Sequence, residues 1–243
     1  MTAPPWFYGP GLKERPAFFD LAPEESRHLA GSRRLRVGDD ITVFDGVGTT
    51  AAGQVLEIDS RQLKVRVALA GYQSVDEDLP RIHLMSAVPK GDRQSTLLDM
   101  ATQLGMSDYT PLLCERSTSV PGERAAARWQ RIMIEACKQS RRPWIPRIHS
   151  ATGLKTVTTG KRSVRQMMIV ADLTGGRMSQ LSALYLDEIV LLVGPEGGFS
   201  SAEIDQIHEA GTTLVALGST VLRTETAAVT LVSATLNFLR GRS

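Results

Sequence analysis

Cysteine is almost absent from this sequence, with Cys114 and Cys137 the two in 243 residues. That is too few for a disulfide framework or a cysteine-ligated zinc site, so both thiols are expected free, in a reducing compartment. Long apolar runs are missing as well. No stretch approaches the roughly 20 residues that a membrane span requires. The opening Met1-Thr2-Ala3-Pro4-Pro5-Trp6 has neither the basic patch nor the apolar stretch of a secretory signal, so a cytoplasmic protein with no membrane partner is expected. Four histidines, His28, His83, His149 and His208, are scattered without ligand spacing, and no metal is expected. Charge of one sign is lacking too. Lysine and arginine total 28 against 26 acidic residues, so bulk electrostatics do not announce a nucleic-acid binder. There is no internal repeat and no low-complexity segment.

Familiar catalytic motifs are also absent. Gly194-Pro195-Glu196-Gly197-Gly198 does not match the dinucleotide fingerprint, and no acidic residue stands where a ribose contact needs one. Pro89-Lys90-Gly91-Asp92-Arg93-Gln94-Ser95-Thr96 lacks the core of a phosphate loop. No nucleophile elbow is present. A metal, a nucleoside triphosphate, a nicotinamide cofactor and a serine triad are therefore all unsupported.

What is present has two textures. Residues 1–72 read as short β-segments broken by turns: Ile41–Gly46 ends in an Asp-Gly turn, and 54–58 and 63–67 alternate apolar with polar. Residues 23–29 form one short helical pattern, and the whole suggests a small, mostly antiparallel barrel. A polar linker is expected over 71–80. Beyond it, from residue 80 to 243, apolar runs at 82–88, 109–114, 167–171, 189–193 and 213–217 alternate with helical stretches near 91–105, 124–140, 200–210 and 224–240. Such alternation indicates βα units and a largely parallel sheet. Ser200 with Glu203 reads as a capping box. The fold class is α/β, with a β-rich N-terminal domain.

Two basic clusters, Arg33-Arg34-Leu35-Arg36 and Lys138-Gln139-Ser140-Arg141-Arg142, could grip phosphates despite the small net charge. The most specific signals are two glycine-containing segments, 191–200 and 217–227. Each begins where an apolar run ends and leads into a helix. Ligands bind at the carboxyl ends of strands in open α/β sheets, and glycine lets main chain approach them closely. The pair suggests a small-molecule pocket, with Arg223 and the carboxylates of Glu196 and Glu225 on or beside it. Taken alone, Glu196 could merely cap the backbone amides of its turn, and Arg223 could merely pair with a carboxylate.

Gly194-Pro195-Glu196-Gly197-Gly198-Phe199-Ser200, followed by Leu217-Gly218 and Leu222-Arg223-Thr224-Glu225-Thr226-Ala227, resembles the knotted SPOUT methyltransferases. Within them the chain is similar to the 16S rRNA uridine N3-methyltransferase (RsmE) family. Upstream segments agree: Lys90-Gly91-Asp92-Arg93, Leu104-Gly105, Pro111-Leu112, Glu115-Arg116-Ser117, Trp129-Gln130-Arg131-Ile132, Glu135-Ala136-Cys137 and Gln139-Ser140. The resemblance implies a C-terminal SPOUT α/β trefoil-knot domain behind a PUA-like RNA-binding barrel. It implies bound S-adenosyl-L-methionine against Leu192, Gly194, Pro195, Glu196, Gly197, Gly198, Leu217, Gly218, Ser219, Leu222, Arg223, Thr224 and Ala227. Arg223 and Glu196 are the expected catalytic pair, with Glu196 or Glu225 orienting the arginine. Arg33, Arg34, Arg36, Arg93, Arg141 and Arg142 are the expected RNA contacts. The implied partners are 16S rRNA in the small ribosomal subunit and a second copy of the chain, paired through the last helix. The chain departs from the family at Ser219 and Thr220, where proline and arginine are usual, at Arg141, where glycine is usual, and at Trp144, where a basic residue is frequent. Another RNA nucleotide as target, or a non-catalytic role in ribosome assembly, fits the same residues.

Overall fold

The computed structural model describes residues 3–29, 35–59, 61–181 and 185–241. It divides into two compact units, Met1–Glu77 with Cys137–Ile145, and Asp78–Ala136 with Pro146–Ser243.

The first unit holds β1 (Trp6–Tyr8), β2 (Phe18–Leu21), α1 (Pro23–Arg27), β3 (Asp40–Phe44), β4 (Thr49–Asp59) and β5 (Lys64–Ser74). The strands form one sheet in the order β1-β3-β4-β5-β2. β1 runs parallel to β3 and the other pairs are antiparallel. The period-2 pattern puts Val55, Val65, Val67 and Leu69 into a core with Phe7, Leu12, Ile41 and Val43. The Asp-Gly turn forms as read, with Asp45 Oδ1 accepting from the amides of Val47 and Thr49, each at 2.9 Å. The polar stretch after residue 70 begins differently from expectation, because β5 continues to Ser74. Between the pairs Thr50–Gln73 and Ala52–Ala70 one extra residue is accommodated, and Gly71 takes φ +59° there. A bulge of this kind keeps a glycine inside a strand rather than ending it.

Segment 137–145 completes this unit. Lys138 Nζ lies 3.0 Å from Glu25 Oε1, both side chains almost fully buried. The indole of Trp144 donates to the carbonyl of Val75 at 2.9 Å, and the amide of Ile145 donates to Gly46 at 3.0 Å. Trp144 therefore packs as a structural residue against Val75 and Gly48.

The second unit holds β6 (Arg81–Ser86), α2 (Arg93–Leu104), β7 (Asp108–Leu113), the greater part of α3 (Ala125–Ser140), β8 (Arg147–Ile148), β9 (Thr152–Gly153), α4 (Leu154–Thr159), β10 (Gln166–Gly176), β11 (Glu188–Val193), α5 (Ser201–Glu209), β12 (Thr213–Val215) and α6 (Thr224–Arg240). The sheet order is β12-β10-β11-β6-β7-β8, with β9 also beside β7, and every pairing is parallel. Its strands read as continuous apolar runs because both faces are covered. One face buries Met168, Val170, Val190 and Leu192 with Leu154 of α4 and Ile207 of α5. α6 buries Ala227, Ala228, Leu231 and Val232 and lies against α2, β11 and β6. No helix among the described residues is long and apolar enough to cross a membrane. The carboxyl ends of β10, β11 and β12 feed the loops that build the site.

Candidate functional site

A cleft of about 330 Å³ opens where these three strands end. β11 stops at Val193, and Pro195–Gly198 closes a turn through Gly198 N–H to the Pro195 carbonyl at 2.8 Å. Gly198 has φ +68°, a left-handed conformation that glycine adopts without steric penalty. Ser200 then caps α5, accepting from the Glu203 amide at 3.3 Å while Glu203 Oε2 accepts from the Ser200 amide at 2.9 Å. The expected capping box is present. Glu203 Oε1 also accepts from the amide of Glu115 at 2.8 Å, and Arg116 Nη1 donates to the carbonyls of Gly197 at 2.8 Å and Phe199 at 3.4 Å. The segment after β7 thus clasps the first glycine loop.

The second loop runs from β12 to α6. Thr224 Oγ1 donates to the Gly194 carbonyl at 3.2 Å and joins the two loops directly. Gly194, Pro195, Glu196, Gly197, Gly198, Leu217, Gly218, Leu222, Thr224 and Ala227, all expected from sequence, line the cleft. Leu192, Ser219 and Arg223 do not line it. Leu192 is fully buried in the core because alternation along β11 turns its side chain away from its neighbour Val193, which does line the cleft. Ser219 is exposed, and so is Arg223, which occupies the N-cap of α6 with extended backbone.

Neither Glu196 nor Glu225 orients Arg223. Both carboxylates converge on Arg93 in the first turn of α2: Glu196 Oε1 is 3.7 Å from its Nη1, and Glu225 Oε1 is 3.8 Å from its Nε. A seven-atom guanidinium arm at the start of α2 reaches both, whereas the Arg223 side chain makes no ion pair or hydrogen bond among the described residues. The second oxygen of Glu225 is buried without a hydrogen-bond partner among the described residues. Sequence reasoning missed Ala171, Asp172, Leu173, Val193, Phe199, Thr220 and Val221, which complete the lining. Phe199, Thr220 and Val221 stand inside the two segments already singled out. The β10 residues carried no local signal.

The thiol of Cys114, close to Glu203, is pushed up to about 12 by burial and by that carboxylate. It is no nucleophile at neutral pH.

The chain matches the model of the RNA methyltransferase domain over residues 77–236 and that of the RNA methyltransferase PUA domain over 21–68. It belongs to the RNA methyltransferase family. Within that family it is 31% identical to the ribosomal RNA small subunit methyltransferase E of Synechocystis, over 85% of this chain and 69% of the relative. It is 28% identical to the protein of the same name from Mycobacterium bovis, over 94% and 89%. Its fold superposes with a TM-score of 0.87 on the crystal structure of a ribosomal RNA small subunit methyltransferase E from Neisseria gonorrhoeae bound to S-adenosyl methionine, at 28% identity and covering 97% and 98% of the two chains. The α/β unit is accordingly a SPOUT trefoil-knot domain and the N-terminal sheet a PUA-like barrel.

The RNA methyltransferase reading also expects six arginines at RNA. Arg33 and Arg34 lie outside the described residues. Arg36 is exposed in the first unit. Arg141, also in that unit, is exposed with φ +56°, and the amide of Arg142 bonds back to the Cys137 carbonyl at 3.1 Å. This is a left-handed helix end of the kind that glycine usually fills, which gives a backbone cause for the glycine expected there from the resemblance. Arg93, in the second unit, is committed to the two carboxylates.

Proposed function

We propose that this protein methylates N3 of a uridine in 16S rRNA of the small ribosomal subunit, with S-adenosyl-L-methionine as methyl donor. The observation that carries the reading is the two-loop cleft at the ends of β10, β11 and β12 in a chain of this family. Its volume of about 330 Å³ suits a small ligand. Gly194, Gly197, Gly198 and Gly218 give it a main-chain surface, and its ionisable lining side chains, Asp172 and Glu196, are both acidic. Those residues fit a ligand that carries positive charge.

The cofactor would supply a methyl group already activated on a sulfonium, so the protein's task is positioning. The glycine loop from Gly194 to Gly198 and the loop from Leu217 to Thr224, with Ala227 beside them, would cradle it. Uracil N3 carries a proton at neutral pH, and a cation beside the ring stabilises the anion left when that proton departs. Arg223, exposed next to the cleft-lining Leu222 and Thr224, is the residue for that role. It cannot take the proton, because a guanidinium stays protonated. Glu196, held by Arg93, would fix the first loop against the ligand. Arg33, Arg34, Arg36, Arg141 and Arg142 would hold phosphates and set the register of the RNA, while the target base leaves its stack. The outward face of α6 would pair two copies of the chain, and the enzyme would work in the cytoplasm.

Nucleoside mass spectrometry tests this. Small subunits lacking the modification, incubated with the protein and S-adenosylmethionine, should gain 3-methyluridine. A different methylated nucleoside, or none, sinks the assignment.

A further inference from the structure

β10 is interrupted beside the cleft. Ala171 and Gly176 both face Val215 of β12, so residues 172–175 are extruded from the ladder. Irregularities of this kind re-aim side chains and cluster beside active sites. Two features hold this one in shape. Thr174 donates its amide at 2.8 Å and its hydroxyl at 2.6 Å to the same oxygen, Oδ1 of Asp172. A Cβ on Gly175 would stand 2.4 Å from the Val215 amide nitrogen, so only glycine closes the insertion. Asp172 is thereby fixed on the cleft lining by one oxygen, and Oδ2 has neither hydrogen bond nor ion pair among the described residues.

The charge balance of the cleft then matters. Glu196 has Arg93 at 3.7 Å to offset it. Asp172 has no ion-pair partner among the described residues. We infer that Asp172 makes the cleft prefer the cationic sulfonium donor over the thioether that remains once the methyl is gone. Donor and product share the same nucleoside and the same amino-acid end, so the sulfonium charge is what a carboxylate can tell apart. This rests on the proposed reading of the cleft as an S-adenosylmethionine site. Removing one unit of negative charge from the lining of such a cleft alters the affinity of a cationic ligand by roughly tenfold. Asp172 is in this sense a specificity-determining residue, favouring loading of donor and release of product.

Titration calorimetry on the full chain decides it, with S-adenosylmethionine and S-adenosylhomocysteine as the two ligands. The wild type should bind the sulfonium more tightly. Asp172→Asn keeps an acceptor for Thr174 and removes only the charge. It should weaken the sulfonium ligand about tenfold and the thioether less than about twofold. Asp172→Glu should keep the wild-type order. Equal affinities in the wild type, or equal weakening of both ligands by Asp172→Asn, overturn the inference. So does an unchanged affinity ratio with lost turnover, which would make Asp172 a proton acceptor instead. A wild type that binds no S-adenosylmethionine removes the reading of the cleft itself, which is a different failure.

Discussion

The loop from Gly194 to Ser200 is tied along its length, whereas the loop from Leu217 to Leu222 is held only where it joins its flanking elements. The first has an internal turn, a capping box and the Arg116 clasp, drawn from residues about 80 positions away in sequence. The second makes no hydrogen bond over 217–222 among the described residues, and Ser219, Thr220 and Val221 are exposed. Thr224 bridges the two directly, through Gly194. The difference teaches how the cleft divides its labour. One wall is pre-organised and costs little ordering when a ligand arrives; the other is completed by what it binds. Ser219 and Thr220, where the resemblance leads one to expect other residues, fall on the untied wall.

Three substitutions test that contrast. The largest effect is expected at the end of the untied loop, where Arg223→Ala should lower methyl transfer about a hundredfold while S-adenosylmethionine affinity moves less than about threefold. Single-turnover rates on small subunits, beside calorimetry, would show it, and wild-type turnover would strip Arg223 of its role. On the tied loop, Arg116→Ala removes the clasp from Gly197 and Phe199. Affinity for S-adenosylmethionine should drop about tenfold, with the rate at saturating cofactor close to wild type. A loss confined to that rate would mean the clasp serves the reaction rather than the cradle. The smallest effect is a gain: Ser219→Pro limits the free conformations of the second loop and should tighten the cofactor about threefold. Weaker binding would mean that the loop needs a backbone shape proline forbids.

Elements whose cause is local were legible in the sequence. The apolar runs that became β6, β10, β11 and β12, the capping box at Ser200 and Glu203, and both glycine loops depend on residues within a few positions of each other. What escaped depends on partners far along the chain. The insertion at 172–175 exists because Gly175 lies on the backbone of Val215. Arg93 reads as a surface cation until folding brings Glu196 and Glu225 beside it. Leu192 and Val193 look alike in a parallel strand buried on both faces, so which of them meets the ligand is set by the register of the sheet. Arg141 shows the reverse case: its departure from the family's glycine is visible in the sequence, but the φ of +56° that gives it meaning is not. A left-handed backbone costs a non-glycine residue roughly 1 kcal/mol, so an arginine kept there is consistent with a use for its charge.

Segment 137–145 carries a practical consequence. The barrel is not one stretch of chain, because the segment Cys137–Ile145 from the distal half supplies the ammonium that Glu25 pairs with and the indole that covers Gly48. A fragment cut after Glu77 would lose both. The PUA-like barrel is thus not a cassette that can be moved by transplanting its N-terminal stretch alone, and grafting it onto another protein would require carrying the helix end along with it.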